Sequence, residues 1–98
     1  MNVRISARAQ REAERRDRWW REQRPEALER FRLELADAIE LIRDNPSLGI
    51  RYEAVRFEAT VRRILLPVTE THLYHAQVVD EVVIICVWGA RRRRGPKL

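Results

Sequence analysis

One stretch limits the possible folds more than any other: from Val82 to Trp88 the chain runs Val-Val-Ile-Ile-Cys-Val-Trp, unbroken by a polar residue. β-Branched side chains are stiff at χ1 and pack well on a pleated surface, and an apolar run without alternation suits a strand covered on both faces. Asp80 and Glu81 supply a tight connection before it, so the run is expected as a central strand. It leads into Gly89, where the chain can leave the sheet, and then into Arg91, Arg92, Arg93 and Arg94. Four adjacent guanidinium groups repel one another and resist inward packing, so a rigid strand presents a cationic tip.

The charge count sharpens that tip. The chain holds 20 Lys and Arg against 15 Asp and Glu, and setting aside Arg91 to Arg94 and Lys97 leaves 15 against 15. A neutral body with a basic end is the electrostatic footprint of a partner with an anionic surface, a nucleic acid or an acidic protein patch. A solvated tail that only aids solubility is the alternative. All but one of the basic residues are arginine, which fits phosphate or carboxylate recognition and fits codon bias equally.

Ninety-eight residues are expected to form one domain, 1–98, with a basic tail at 91–98. The longest apolar run falls far short of the roughly 20 residues that cross a bilayer, and the first residues lack a signal-like apolar segment, so a cytoplasmic protein without membrane partners is expected. Cys86 is the one cysteine; no internal disulfide or thiolate metal cluster is expected, and its apolar neighbours mark it as a small core residue. Glycine-rich phosphate loops, metal-spaced ligands and nucleophilic triads are not apparent, and His72 and His75 are the only imidazoles, so no cofactor or metal is expected.

Along the chain, Asn2 to Ile5 alternates as a short half-buried strand, and Ser6 is placed to cap a helix. That helix, from Ala7 to about Glu22, is dense in charge and carries a thin stripe of Ala9, Ala13 and Trp20, with Trp19 beside it. The Trp19–Trp20 pair reads as helix-on-sheet packing rather than a base-stacking platform. Pro25 suits the first turn of a second helix. Leu28, Phe31, Leu35, Ala38, Ile39 and Ile42 then form a continuous apolar stripe, while Leu33, Ala36 and Leu41 lie off it and are expected against the first helix, an external partner being the alternative. Asn45-Pro46-Ser47-Leu48-Gly49 ends the helix. After an irregular link from Ile50 to Ala59, strands are expected at Val61 to Leu66, His72 to Val79 and Val82 to Trp88, an antiparallel meander. The expected class is α+β, in the order β-α-α-β-β-β, with a helical hairpin across one face of a small, mainly antiparallel sheet.

Arg62 and Arg63 must point to opposite sheet faces, whereas His72 and Tyr74 share one. With Arg91 these residues offer arginine, imidazole and phenol, groups suited to holding a phosphate and moving a proton in RNA cleavage; a packed cross-strand polar face is the other reading. Trp88 is expected in the core or as a rim anchor beside the tail.

Taken together, Ser6-Ala7-Arg8-Ala9, Asn45-Pro46-Ser47-Leu48-Gly49, Val61 to Pro67, His72-Leu73-Tyr74-His75 and Val87 to Arg92 resemble, in order and spacing, the RelE/ParE superfamily of bacterial toxins, the ParE branch more closely. The resemblance covers nearly the whole chain and implies the toxin of a type II toxin–antitoxin system, held inactive in a hetero-oligomer by a ParD-like or similar antitoxin. ParE-like members inhibit DNA gyrase; RelE-like members cut messenger RNA on the ribosome. For a ribonuclease Arg63 and Arg91 fit the pattern and would grip the phosphate, with His72 moving the proton in place of missing groups, since Leu65 stands where a second basic residue is looked for, and no tyrosine follows Tyr74 and no histidine follows His75. The resemblance therefore implies a gyrase inhibitor that breaks no bond itself, meeting gyrase, with or without DNA, through Trp88, Arg91, Arg92, Arg93 and Arg94. A ribosome-dependent ribonuclease and a non-toxic interaction module are the alternatives.

Overall fold

The computed structural model describes residues 1–98. Strand β1 (Asn2–Ile5) leads into helix α1 (Ala7–Gln23), a turn of 3-10 helix at Pro25–Ala27, and helix α2 (Arg30–Asp44). Strands β2 (Ile50–Tyr52), β3 (Val61–Leu66), β4 (Thr71–Val78) and β5 (Glu81–Gly89) complete one five-stranded sheet. Its order is β1-β5-β4-β3-β2, with β1 parallel to β5 and every other neighbour antiparallel. The expected α+β architecture, a helical hairpin on a mainly antiparallel sheet, is what forms.

The capping reading holds at Ser6. Its extended backbone (φ −63°, ψ 157°) lets Oγ accept from the Ala9 amide at 3.1 Å, and the same hydroxyl donates to the Ile85 carbonyl at 3.1 Å. The start of α1 is thus stitched to β5. Strand β1 pairs with β5 only as far as Ile84, and Glu12 of α1 accepts from the Val87 amide on the remaining edge at 3.0 Å. A buried ladder donor is satisfied by a carboxylate instead of a strand.

A β-bulge decides which residues face the helices. Tyr74 pairs with Cys86 and His75 with Ile84, so Ile85 is the extra residue on β5. Val82, Ile84 and Val87 then join Leu66 and Leu73 beneath Ala9, Trp20, Phe31, Ala38 and Ile42, all buried. Fully burying a side chain of this size contributes about 1.5–3 kcal/mol. Val83, Ile85 and Cys86 face the other way with Val61, Tyr74 and Ala76, forming a second core that Tyr52, Ala54, Ala59 and Leu98 cover. Both faces of β5 are buried, as its apolar run demanded.

Leu98 reaches that core because the residues after the arginines turn back as a strap. Trp88 Nε1 donates to the Arg94 carbonyl at 2.8 Å, the Tyr52 hydroxyl donates to the Pro96 carbonyl at 2.8 Å, and Arg8 Nη1 donates to the Lys97 carbonyl at 3.1 Å. Arg91 to Arg94 stay exposed while Pro96 and Leu98 are buried. The basic segment is therefore a bend pinned at both ends.

Several expectations are corrected. The link after α2 is not wholly irregular: Ile50–Tyr52 pairs with Arg63–Val61 as an edge strand. Pro25 opens a separate 3-10 turn, with Glu29 between it and α2, so Leu28 lies outside the helix and is exposed. Leu33, Ala36 and Leu41 do not face α1; they point outward, Leu33 and Leu41 at 62% and 59% exposure. Trp20 packs in the core, but Trp19 is 48% exposed and meets Trp20 edge-on, with centroids 5.5 Å apart, so the pair is not packing alone.

Candidate functional site

Three surfaces carry the residues singled out by sequence. The first is a largely apolar groove of about 610 Å³ between α2 and β3, lined by Ala38, Leu41, Leu48, Ile50 and Ile64–Leu66, with Arg63 and His72 on the side where it meets the second surface. It exists because β2 is short. Pairing ends at Arg63, which leaves the outer edge of Ile64–Leu66 without a neighbouring strand. Glu34 and Asp37 line both this groove and a second cavity, of about 730 Å³, that runs on past Leu33 and Val68 to Pro25. Exposed leucines beside a free strand edge form a surface that another chain can cover.

Two clamps shape the groove. Glu34 accepts from the Val68 and Thr69 amides at 2.7 and 2.9 Å and from the Thr69 hydroxyl at 2.6 Å, fixing the β3–β4 turn to α2. At the other end His75, fully buried, holds the Leu48 carbonyl through Nε2 at 2.8 Å. Arg62 Nη1 donates to the Gly49 carbonyl at 3.2 Å, and Gly49 itself takes φ +101°, where an added Cβ would lie 2.6 Å from the Arg63 carbonyl oxygen. The loop after α2 is held in place by the sheet's inward-facing polar groups.

The second surface is the sheet face that carries Arg63, His72, Tyr74 and Trp88. Arg63 stands opposite Tyr74 across the ladder, and His72 stands between Leu65 and Trp88 on its two neighbours. The His72 and Tyr74 rings meet edge-on at 6.3 Å. Burial lowers the His72 pKa and nearby Arg63 lowers it further, favouring neutral imidazole at pH 7. Burial raises the Tyr74 pKa, with Arg63 opposing. Of the three residues implied for RNA cleavage, Arg63 and His72 share this face, whereas Arg91 lines a different cavity and pairs with Glu70.

The third surface is the basic bend. The Arg92 guanidinium carbon lies 3.9 Å from the Trp88 ring centroid, a cation–π contact that places Trp88 as the platform of the bend. Arg93 and Arg94 are exposed and unpaired. Glu70 is positioned for Arg91 by its own strained backbone, φ 52°, and by the Ala90 amide donating to its carbonyl at 2.8 Å. Arg16 of α1 braces the same turn: Nε donates to Thr71 Oγ1 at 2.7 Å and Nη2 to the Thr69 carbonyl at 2.8 Å. Burial lowers the Arg16 pKa, then Arg92 does so again, while Glu70 raises it; an arginine so placed stays charged.

Sequence reasoning did not place Arg16, Trp19, Arg24 or Arg30 beside Arg91 and Arg92, yet all six line one cavity of about 690 Å³. The only local signal is the density of arginine around Trp19 near the end of α1. Nowhere do three His, Cys, Asp or Glu side chains come together as a metal ion would need. No helix is long and apolar enough to cross a membrane.

No protein-family model and no curated protein matches the chain. Among solved structures, a chain from the chromosomal ParDE TA system of P. aeruginosa shares the fold, with a TM-score of 0.75 over 93% of this chain and 97% of that one, at 11% identity. The fold is shared along nearly the whole of both chains, although few residues are.

Proposed function

We propose that the chain is the toxin of a type II toxin–antitoxin pair and acts as ParE-like members do, by inhibiting DNA gyrase without itself breaking a bond. The observation that carries this reading is the fold shared along nearly the full length of a ParDE chain. Two features of the molecule support the finer assignment. Arg91 is drawn to Glu70 and lines another cavity than Arg63 and His72, so the groups a ribonuclease would converge on one phosphate are divided. The net charge of the chain is gathered instead on a bend pinned by the strap, where Trp88, Arg91, Arg92, Arg93 and Arg94 form the surface that meets gyrase and its DNA.

The antitoxin occupies the groove. Leu33, Leu41, Ile50 and Leu65 supply apolar anchors, and the free edge of Ile64–Leu66 supplies ladder hydrogen bonds to an extended segment. Burying these residues adds the binding free energy to the stability of the toxin, so the hetero-oligomer outlasts the free chain. Both partners act in the cytoplasm.

Arg91 and Arg92 make the test. Replacing both with alanine removes two exposed charges and no buried contact, so the melting curve stays native while growth arrest on induction disappears. Undiminished growth arrest by a natively folded double variant would overturn the reading.

A further inference from the structure

The cavity shared by α1, the turn after it and the basic bend was not anticipated as a site. Arg16, Arg24, Arg30, Arg91 and Arg92 line it together with the exposed ring of Trp19. Two carboxylates, Glu26 and Glu70, also face it, and Glu70 is taken up by Arg91. Arg24 and Arg30 pair with no carboxylate. Positive charge therefore exceeds negative in a concave space, the arrangement that concentrates an anion.

Trp19 makes the site more than a patch of charge. Trp19 also lines a smaller cavity of about 170 Å³ with Arg15, Arg16, Arg92 and one carboxylate, Glu12, which is already taken up by Arg8 and the Val87 amide. The aromatic residue is thus shared by two arginine-lined hollows that have Arg16 and Arg92 in common. The ring is held by Trp20, edge-on at 5.5 Å, and by Arg16, whose guanidinium carbon lies 5.9 Å from its centroid. Cation, aromatic, cation is the order in which a single strand offers phosphate, base and phosphate. An acidic peptide would satisfy the arginines and leave the ring unused. Duplex DNA would satisfy them too, but its stacked bases have no free face for an indole.

We propose that this cavity binds a short segment of single-stranded nucleic acid, one base stacked on Trp19 with the flanking phosphates on Arg24 and Arg30 on one side and on the Arg15 and Arg92 hollow on the other. The inference rests on the basic bend being the surface that meets the target, and assigns to the target complex an unpaired strand held against the end of α1. Arg91 and Arg92 would then share their anion with residues of the helical hairpin.

Fluorescence anisotropy with labelled oligo-dT, an abasic strand of equal length and a duplex tests it on the full chain alone, with gyrase left out. The wild type should bind oligo-dT more tightly than either of the others. Trp19→Ala should weaken oligo-dT binding about tenfold and leave the abasic strand unaffected, while Trp19→Phe, which keeps an aromatic face, restores most of the affinity. Arg24→Gln with Arg30→Gln should weaken both strands and lower the salt slope by about 0.7 for each phosphate that is no longer neutralised. Equal affinity for dT and abasic strands, no change in Trp19→Ala, or displacement by polyglutamate as effective as by oligo-dT would each overturn the proposal. Because no gyrase is present, such a failure leaves the gyrase reading standing, whereas failure to inhibit gyrase alone leaves this site standing.

Discussion

His75 offers a quantitative test of how the floor of the groove is held. The ring is fully buried, Nε2 lies 2.8 Å from the Leu48 carbonyl oxygen, and Nδ1 has no partner. A carbonyl only accepts, so Nε2 carries the hydrogen and Nδ1 is a bare buried lone pair. Protonating Nδ1 would place a charge in apolar surroundings. Burial lowers the pKa most; the Leu48 bond opposes this, and Arg62 lowers it further. The folded pKa thus lies below the unfolded value of about 6.5. Above that value both states are neutral and the stability is fully present. As pH falls below it the unfolded chain takes up a proton that the folded chain refuses, and stability falls by up to about 1.36 kcal/mol per pH unit until the folded ring titrates. In His75→Gln the side-chain amide donates to Leu48 without titrating. Urea denaturation of both proteins from about pH 7 to about pH 5.5 gives the difference between them, from which shared carboxylates and His72 cancel. His75→Gln should be less stable by about 1 kcal/mol at pH 7, and the gap should close by about 1 kcal/mol across the range. A gap that stays constant would refute the buried, half-satisfied imidazole.

Other consequences follow from single residues. Glu34→Ala removes the acceptor of three hydrogen bonds on the β3–β4 turn and should cost about 2 kcal/mol by chemical denaturation. Cys86, whose thiol is pushed up to about 12 by burial and then by Glu12, should react with iodoacetamide at least about a hundredfold more slowly in the native protein than in urea. Leu41→Glu, which alters an exposed side chain in the groove, should leave the melting temperature and the toxicity unchanged while weakening antitoxin binding about a hundredfold by calorimetry.

Much of the architecture was legible because local signals agreed with the packing. The run at Val82 to Trp88 carried its own evidence for burial on both faces, and Ser6 carried the start of α1. What was not legible depended on partners distant in sequence. Ile50–Tyr52 is three residues long and becomes a strand only because β3 is there to pair with it. Trp19 and Trp20 are adjacent, so a helix must point them about 100° apart, and only the tertiary contacts decide which one is buried. Four arginines masked the strap, since two short apolar residues, Pro96 and Leu98, give no periodicity to read. The bulge at Ile85 then sent Cys86 to the same face as its neighbour, a shift in alternation that an all-apolar run conceals. The candidate site was the least legible part. Charge showed that the end of the chain was basic, but the pairing of Arg91 with Glu70, and the gathering of Arg16, Arg24 and Arg30 around Trp19, are products of the fold.

The central claim, inhibition of gyrase by a protein that cuts nothing itself, is tested most directly by two parallel reactions with the purified chain. One contains gyrase, plasmid DNA and ATP, the other translating ribosomes and a defined messenger RNA. Impaired supercoiling or cleaved plasmid beside an intact message is the predicted result. A cut message beside normal supercoiling would contradict it, and would mean that Arg63 and His72 act without the convergence of Arg91.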